Sequence, residues 1–183
     1  MKINYVTRYA SPIGELTITG DDAVIRGVWF ENQRCFENAT KIDLETRNNA
    51  RPFLETKAWL NDYFAGGRPE IGGLPLFPEG SDFQEEVWKL LLEIPYGEVT
   101  TYGALAEKIA EKRGIPKMSA QAVGGAVGHN PISIIIPCHR VIGADGSMTG
   151  YGGGVDKKIK LLELEGAEIR NNKWIRREYH AEQ

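Results

Sequence analysis

The sequence predicts an α+β protein in which a β-rich first part is followed by a mainly helical second part. Three observations carry this. Short β-branched and aromatic runs, divided by turn residues, fill the first thirty or so positions, and from Arg51 the apolar spacing becomes helical. A stretch rich in Gly and Pro from Gly66 to Gly80 then separates that helix from a second helical region. The expected division is residues 1–80, linker included, and residues 81–183.

Ile3 to Thr7, Leu16 to Thr19 and Val24 to Phe30 are the predicted strands. Ser11-Pro12-Ile13-Gly14 and Gly20-Asp21-Asp22 carry the turn chemistry between them. Arg51 to Phe64 follows as a helix, with Phe53, Leu54, Ala58, Leu60 and Phe64 on one broad face. Pro52 suits an early helical position and Gly66-Gly67 a stop. Ser81 or Asp82 caps a helix through Phe83, Val87, Leu90 and Leu91, with Glu85 in the first turn and Pro95-Tyr96-Gly97 at its end. Thr100 or Thr101 caps the next, whose inner face includes Leu105, Ile109 and Ala110.

After a break at Pro116-Lys117-Met118, Ser119 leads into a helix from Ala120 to Val127, stopped by Gly128-His129-Asn130-Pro131. These two helices resemble a helix-turn-helix whose second member is nearly devoid of bulky side chains. Such a face lacks the long polar groups that read bases in a major groove, but it allows close backbone approach. A neighbouring helix and a minor groove both fit that pattern. Ile134 to Ile136 reads as a short strand buried on both faces, and Pro137, with no amide proton for a ladder, ends it and sets Cys138 outside. Asp156 to Glu165 is the last helix, with Ile159, Leu161 and Leu162 inward. Ile169 to Arg177, folded at Asn171-Asn172, is a hairpin with Arg170, Lys173, Arg176 and Arg177 on a solvated face.

The 183 residues, 42% hydrophobic and 26% charged, have the balance of an ordinary globular protein. A net charge of −3 supplies no overall basic field, so a nucleic-acid partner would have to meet a local patch. Cys35 and Cys138 are too few for a disulfide framework or a cysteine-rich zinc site. His129, His139 and His180 have no metal-ligand spacing, so no metal is expected; His129 and His180 read as surface residues and Cys35 as structural. The N-terminus lacks a signal-peptide core and no apolar run reaches membrane length, which gives the cytoplasm as the expected compartment and no membrane partner.

Chemistry concentrates at Pro137-Cys138-His139-Arg140-Val141, where a thiol and an imidazole are neighbours. A lone cysteine is usually a small buried hydrophobe. One delivered from rigid packing to a loop edge beside an imidazole is placed to react. The glycines from Gly150 to Gly154 match no phosphate-cradling pattern and read as a wall for a flat ligand, with Tyr151 as an aromatic surface.

These residues resemble the signature of the methylated-DNA–protein-cysteine methyltransferases, the O6-alkylguanine-DNA alkyltransferases. The resemblance extends over Gly97-Glu98-Val99-Thr100-Thr101-Tyr102, Ala122-Val123-Gly124-Gly125-Ala126, Asn130-Pro131, Gly150-Tyr151 and Glu165-Gly166, and more loosely over Ser11-Pro12-Ile13-Gly14 and the strands around Trp29. It implies a ribonuclease-H-like α/β N-terminal domain and a helical C-terminal domain carrying the helix-turn-helix and the reactive cysteine. It also implies irreversible, single-use transfer of an alkyl group from O6-alkylguanine in double-stranded DNA, with O4-alkylthymine as a further candidate, to Cys138. The expected agent is a monomer without cofactor.

By the same resemblance, His139 takes the thiol proton through a water, Glu165 orients and charges the imidazole, and Asn130 braces the network. Tyr102 donates to the base as the leaving oxygen gathers charge. Val141, Tyr151, Gly152 and Gly153 form the guanine pocket. Tyr102, Ser119, Ala120, Gln121, Ala122, Gly124 and Arg140 meet DNA, the small-residue helix entering the minor groove after the base is flipped out. One departure stands out: the family commonly has an arginine where this chain has Gln121, which brings no charge and less reach. Lys112, Arg113 and Lys117 are candidates to offset it at phosphates. Two other readings compete. A non-reactive alkyltransferase-like lesion binder would lack the nucleophile, and a cysteine hydrolase would need an oxyanion hole and a histidine remote in sequence.

Overall fold

The structure, a computed structural model, describes residues 5–34, 36–37 and 44–175. Ile3, Cys35, Arg176, Arg177 and His180 lie outside the described residues. Strands β1 (Tyr5–Ser11), β2 (Gly14–Gly20) and β3 (Ile25–Phe30) form an antiparallel meander, with β4 (Glu45–Thr46) parallel to β1, in the order β3-β2-β1-β4. The first turn works because Gly14 takes φ +133° and the Ser11 hydroxyl accepts from the Ile13 amide at 3.3 Å.

Helix α1 (Arg51–Phe64) covers this sheet, with Pro52 in its first turn. Its buried stripe is Pro52, Phe53, Thr56, Trp59, Leu60 and Tyr63, whereas Leu54 is 53% exposed. The buried face is therefore rotated from the expected one: the helix turns Trp59 and Tyr63 inward beside Phe53 and leaves Leu54 and Ala58 to solvent. The Gly- and Pro-rich segment beyond it is not a free tether. Ile25 N donates to Pro75 O and Phe77 N to Ile25 O, both at 2.8 Å, which docks that segment beside β3.

Helix α2 (Asp82–Leu92) begins with a reciprocal cap in which Ser81 accepts from Gln84 N and the Gln84 side chain from Ser81 N. After β5 (Thr100–Thr101) come α3 (Tyr102–Arg113), capped by Thr101, and α4 (Ala120–Gly128), capped by Ser119. Trp88 of α2 donates its indole N–H to Ala126 O at 2.9 Å and so fastens α4 from behind. β6 (Val141–Ile142) runs parallel to β5, α5 (Val155–Leu164) follows, and β7 (Glu168–Arg170) with β8 (Lys173–Ile175) form the hairpin. Asn171 and Asn172 turn it with φ +52° and +57°. No helix among the described residues is long and apolar enough to cross a membrane.

One expected element is absent. Ile134 to Ile136 is a turn, not a strand: Ile134 has φ +72°, Ile135 N donates to Ser133 O and Ile136 N to Ile132 O. Only Ile132 bridges to a neighbour, Val28 of β3, through Val28 N to Pro131 O and Ser133 N to Val28 O, each at 2.9 Å. All three isoleucines are buried, which is what the composition registered; burial alone does not distinguish a packed turn from a strand. A β-branched residue at positive φ costs on the order of 1–3 kcal/mol, and it persists because the surrounding bonds over-determine it.

Candidate active site

Asn130 supplies those bonds. It is 2% exposed; its Oδ1 accepts from Ile132 N at 3.0 Å, and its Nδ2 donates to Ile132 O at 3.3 Å and Ile136 O at 2.9 Å. One amide side chain thus replaces the missing strand ladder and fixes the approach to Pro137. Cys138 opens a 3-10 turn through Arg140, and its own amide donates to Ile136 O at 2.8 Å. In such a turn neighbouring side chains diverge by about 120°. Cys138 and His139 therefore leave the backbone in different directions.

Glu165 caps the end of α5 and is 5% exposed. Its Oε1 accepts from His139 Nε2 at 2.7 Å, Tyr63 Oη at 2.7 Å and Arg140 Nη2 at 3.0 Å. Its Oε2 accepts from Arg140 Nε at 2.8 Å and Gly97 N at 3.2 Å. Burial opposes the charge, but the bonds from His139 and Arg140 outweigh it and hold the carboxyl well below the usual carboxylate range. His139 is fully buried, and desolvation keeps its pKa down despite Glu165, so the resting ring is neutral. With Nε2–H given to the carboxylate, Nδ1 carries the basic lone pair, and it has no hydrogen-bond partner in the protein. Burial likewise pushes the Cys138 thiol up, against the pull of the Asn130 amide and the Lys158 ammonium. At rest this is a neutral thiol beside a neutral imidazole whose acceptor nitrogen is free.

Three features escaped the sequence reading. Arg140, placed on the DNA side by resemblance, is 6% exposed and spends its guanidinium on Glu165 and on Ile94 O at 2.7 Å. Its position next to the paired His139 turns it inward, so it is an internal counter-ion. Tyr63 reaches Glu165 from α1, across the two halves of the chain. Lys158 of α5 is 0% exposed; its Nζ donates to Val141 O at 2.5 Å and Thr149 O at 3.2 Å, and burial brings its pKa down to about 8. The signal for it was present, because Lys158 precedes Leu161 and Leu162 by three and four positions and so shares their inward stripe. The Val141 carbonyl is thus tied to the loop carrying Thr149.

A cavity of about 620 Å³ opens between α4, Tyr102 and the glycine-rich loop, a usual size for a ligand cleft. Tyr102, Ala120, Gln121, Gly124, Tyr151 and Gly152 line it. Cys138 does not; Tyr102 and Tyr151 connect it to the cavity, both phenols being within electrostatic reach of the sulfur. Desolvation, with Cys138 as the second cause, pushes Tyr102 up to about 12, so it remains a proton donor at neutral pH. Its hydroxyl lies 3.1 Å from Thr149 O and 3.2 Å from Gly150 O. Gly150 has φ +79°, and a Cβ there would stand 2.9 Å from that hydroxyl, so only glycine serves both needs. Gly153 packs instead against Phe30, whose ring would lie 2.6 Å from a Cβ, and Val141 contributes its backbone from a fully buried position. Ser119, the cap, and Ala120, Gln121 and Ala122 of the first turn are the exposed start of α4, with Gly124 half-buried. Arg113 is not free to meet phosphate, because Glu86 holds it at 2.6 Å. Among the described residues no group of three His, Cys, Asp or Glu side chains converges to hold a metal.

Comparison with known proteins agrees over nearly the whole chain. Residues 82–167 match the family described as 6-O-methylguanine DNA methyltransferase, DNA binding domain, and residues 4–78 match its ribonuclease-like domain. A methylated-DNA–protein-cysteine methyltransferase of Haemophilus influenzae is 42% identical over 161 residues, covering 88% of this chain and 86% of that protein. One from Mycobacterium tuberculosis is 47% identical over 159 residues, covering 85% and 88%. Among solved structures, Mycobacterium tuberculosis OGT in complex with DNA superposes with a TM-score of 0.76 at 44% identity, over 88% of this chain and 92% of that one.

Proposed function

Because the chain belongs to the 6-O-methylguanine DNA methyltransferase family, we infer that it is a DNA repair methyltransferase that moves the alkyl group of O6-alkylguanine in double-stranded DNA onto its own Cys138. The observation that carries the residue assignment is the buried 2.7 Å contact between His139 Nε2 and Glu165, which leaves Nδ1 as the only basic position on the ring of the residue that follows Cys138.

The step follows from that geometry. The Cys138 S–H proton passes to His139 Nδ1, through a bridging water, and the imidazolium is stabilised by Glu165. The thiolate attacks the alkyl carbon; the S–C bond forms as the C–O6 bond breaks. The electron pair goes to the purine, which takes a proton from Tyr102 and leaves as ordinary guanine. Proton return from imidazolium to phenolate through solvent closes the balance. The product is a thioether, which no hydrolytic step reverses, so each chain acts once. Tyr102 must release its two carbonyl acceptors to make that donation, so entry of the base and arming of the acid are one event.

The target oxygen lies inside the duplex, and reaching Cys138 requires the nucleotide to be flipped out, at a cost of a few kcal/mol. The exposed small-residue face of α4 suits the minor groove for this. Tyr63, Cys138, His139 and Glu165 come from one chain, in keeping with a monomer, and the cytoplasm keeps a single-use thiol reduced. Intact-protein mass spectrometry after mixing with an O6-methylguanine duplex should show one added methyl, mapped to Cys138 and abolished by Cys138→Ala. Unchanged mass with DNA still bound would instead identify a lesion binder that transfers nothing.

A further inference from the structure

The cavity beside α4 has one charged side chain among the described residues that line it, and it belongs to the other half of the chain: Arg34, in the turn after β3. Every other lining residue is neutral: Tyr, Ala, Gln, Gly or Thr. Arg34 is exposed, and among the described residues no carboxylate pairs with it. A guanidinium keeps its charge at any physiological pH and presents a planar fork that suits two oxygens of one phosphate.

Its placement is built. The neighbouring Gln33 is 6% exposed; its Oε1 accepts from Phe30 N at 3.1 Å and Ser133 Oγ at 2.8 Å, and its Nε2 donates to Asn130 O at 3.4 Å. The same side chain lies against the glycine-rich loop, 3.1 Å from where a Cβ on Gly152 would stand. Gln33 therefore ties the turn to both the Asn130 segment and the cavity wall. At the far end of α4, a Cβ on Gly128 would be 3.9 Å from Arg34 Nη1. The helix thus has neutral Gln121 in its first turn and a cation lent by the first domain at its last, roughly 10 Å apart at 1.5 Å per residue. Two of the other candidates to replace the missing charge, Arg113 and Lys117, are placed differently, while Lys112 is exposed on α3 and does not line the cavity. Arg113 is bound to Glu86, and Lys117 lines a separate cleft together with Glu107 and Glu111.

We propose that Arg34 is a phosphate-binding residue of the DNA site: it grips the backbone of the nucleotide entering the cavity, so the N-terminal domain supplies the charge that Gln121 does not. The inference rests on the DNA-alkyltransferase reading above. It predicts the salt dependence of binding. In a Cys138→Ala background, where no transfer interferes, fluorescence anisotropy with an O6-methylguanine duplex is measured across a salt series. Arg34→Gln should lower the magnitude of the slope of log K against log salt by about 0.9, the value for one lost phosphate contact, while Arg34→Lys keeps it. Adding Gln121→Arg to Arg34→Gln should restore the slope; failure to do so overturns the claim that the two positions share one task. With Cys138 present, the ratio of methyl transfer from duplex to transfer from free O6-methylguanine should fall in Arg34→Gln, and an unaltered thermal midpoint verifies folding. An unaltered slope in Arg34→Gln overturns the proposal, whatever the affinity. Absence of any methyl on wild-type Cys138 would instead overturn the alkyltransferase reading, independently of the slope.

Discussion

Lys158 sets the electrostatic problem of the site in one side chain. It is buried within electrostatic reach of Cys138, and its pKa of about 8 records how far desolvation works against its charge. The Cys138 thiolate that the proposed transfer requires is the charge it can balance, since Cys138 and Lys158 act on each other's titration in opposite senses. Lys158→Met should move the alkaline rise of the transfer rate to higher pH by up to about 1 unit, a tenfold loss at neutral pH. A stopped-flow pH profile that coincides with wild type would remove Lys158 from the step. Stability gives a second reading with a definite sign. A lysine whose pKa falls from 10.5 to about 8 on folding binds more protons unfolded between those values, so its contribution to stability rises with pH across that window and is lost as pH falls through it. Denaturant midpoints of wild type minus Lys158→Met should therefore climb from pH 8 to pH 10.5.

The segment from Asn130 to Arg140 shows what an element can be without being regular. Asn130 feeds three backbone groups, and Asn130→Ala would leave Ile132 N buried and unpaired, while Ile132 O keeps the Ile136 amide and Ile136 O the Cys138 amide. At about 1–3 kcal/mol for the orphaned amide and about 0.5–1.5 kcal/mol for each of the two other lost bonds, a loss of at least about 2 kcal/mol is expected in urea unfolding. A loss under about 1 kcal/mol would mean that the turn stands by other means. The same segment marks where sequence reading failed. The bounds of α1 and the cap at Ser119 were legible, and the caps at Ser81 and Thr101 to within one residue, because capping and helical spacing are local codes. Three buried isoleucines read as a strand because their environment is coded locally but their hydrogen-bond partner is not. For the site, Cys138, His139 and Glu165 were named by resemblance. The inward turn of Arg140 and the contribution of Tyr63 depend on contacts 25 and 102 positions apart, which no local pattern carries, whereas the burial of Lys158 was coded in the inward stripe it shares with Leu161 and Leu162.

Across the whole molecule, a single cluster of buried side chains runs from Leu16 and Phe30 through Trp88 to Cys138 and Leu161. The two halves share more than packing. Val28 of β3 bonds to Pro131 and Ser133, and Tyr63 of α1 helps hold the carboxylate that orients His139. The first domain is therefore structurally part of the proposed reaction centre.

The docking of Pro75 and Phe77 on Ile25 has a consequence for covalent continuity. Gly72 and Gly73 lie just upstream, exposed and with nothing near a would-be Cβ, so a protease can cut there without disturbing either body. The C-terminal fragment would keep the hydrogen-bonding segment that β3 requires. Two polypeptides co-expressed with the peptide bond between Gly72 and Gly73 omitted should reassociate, co-elute in size exclusion and still methylate at Cys138. Fragments that elute apart, each folded, would show that the backbone link, and not the shared interior, holds the halves together.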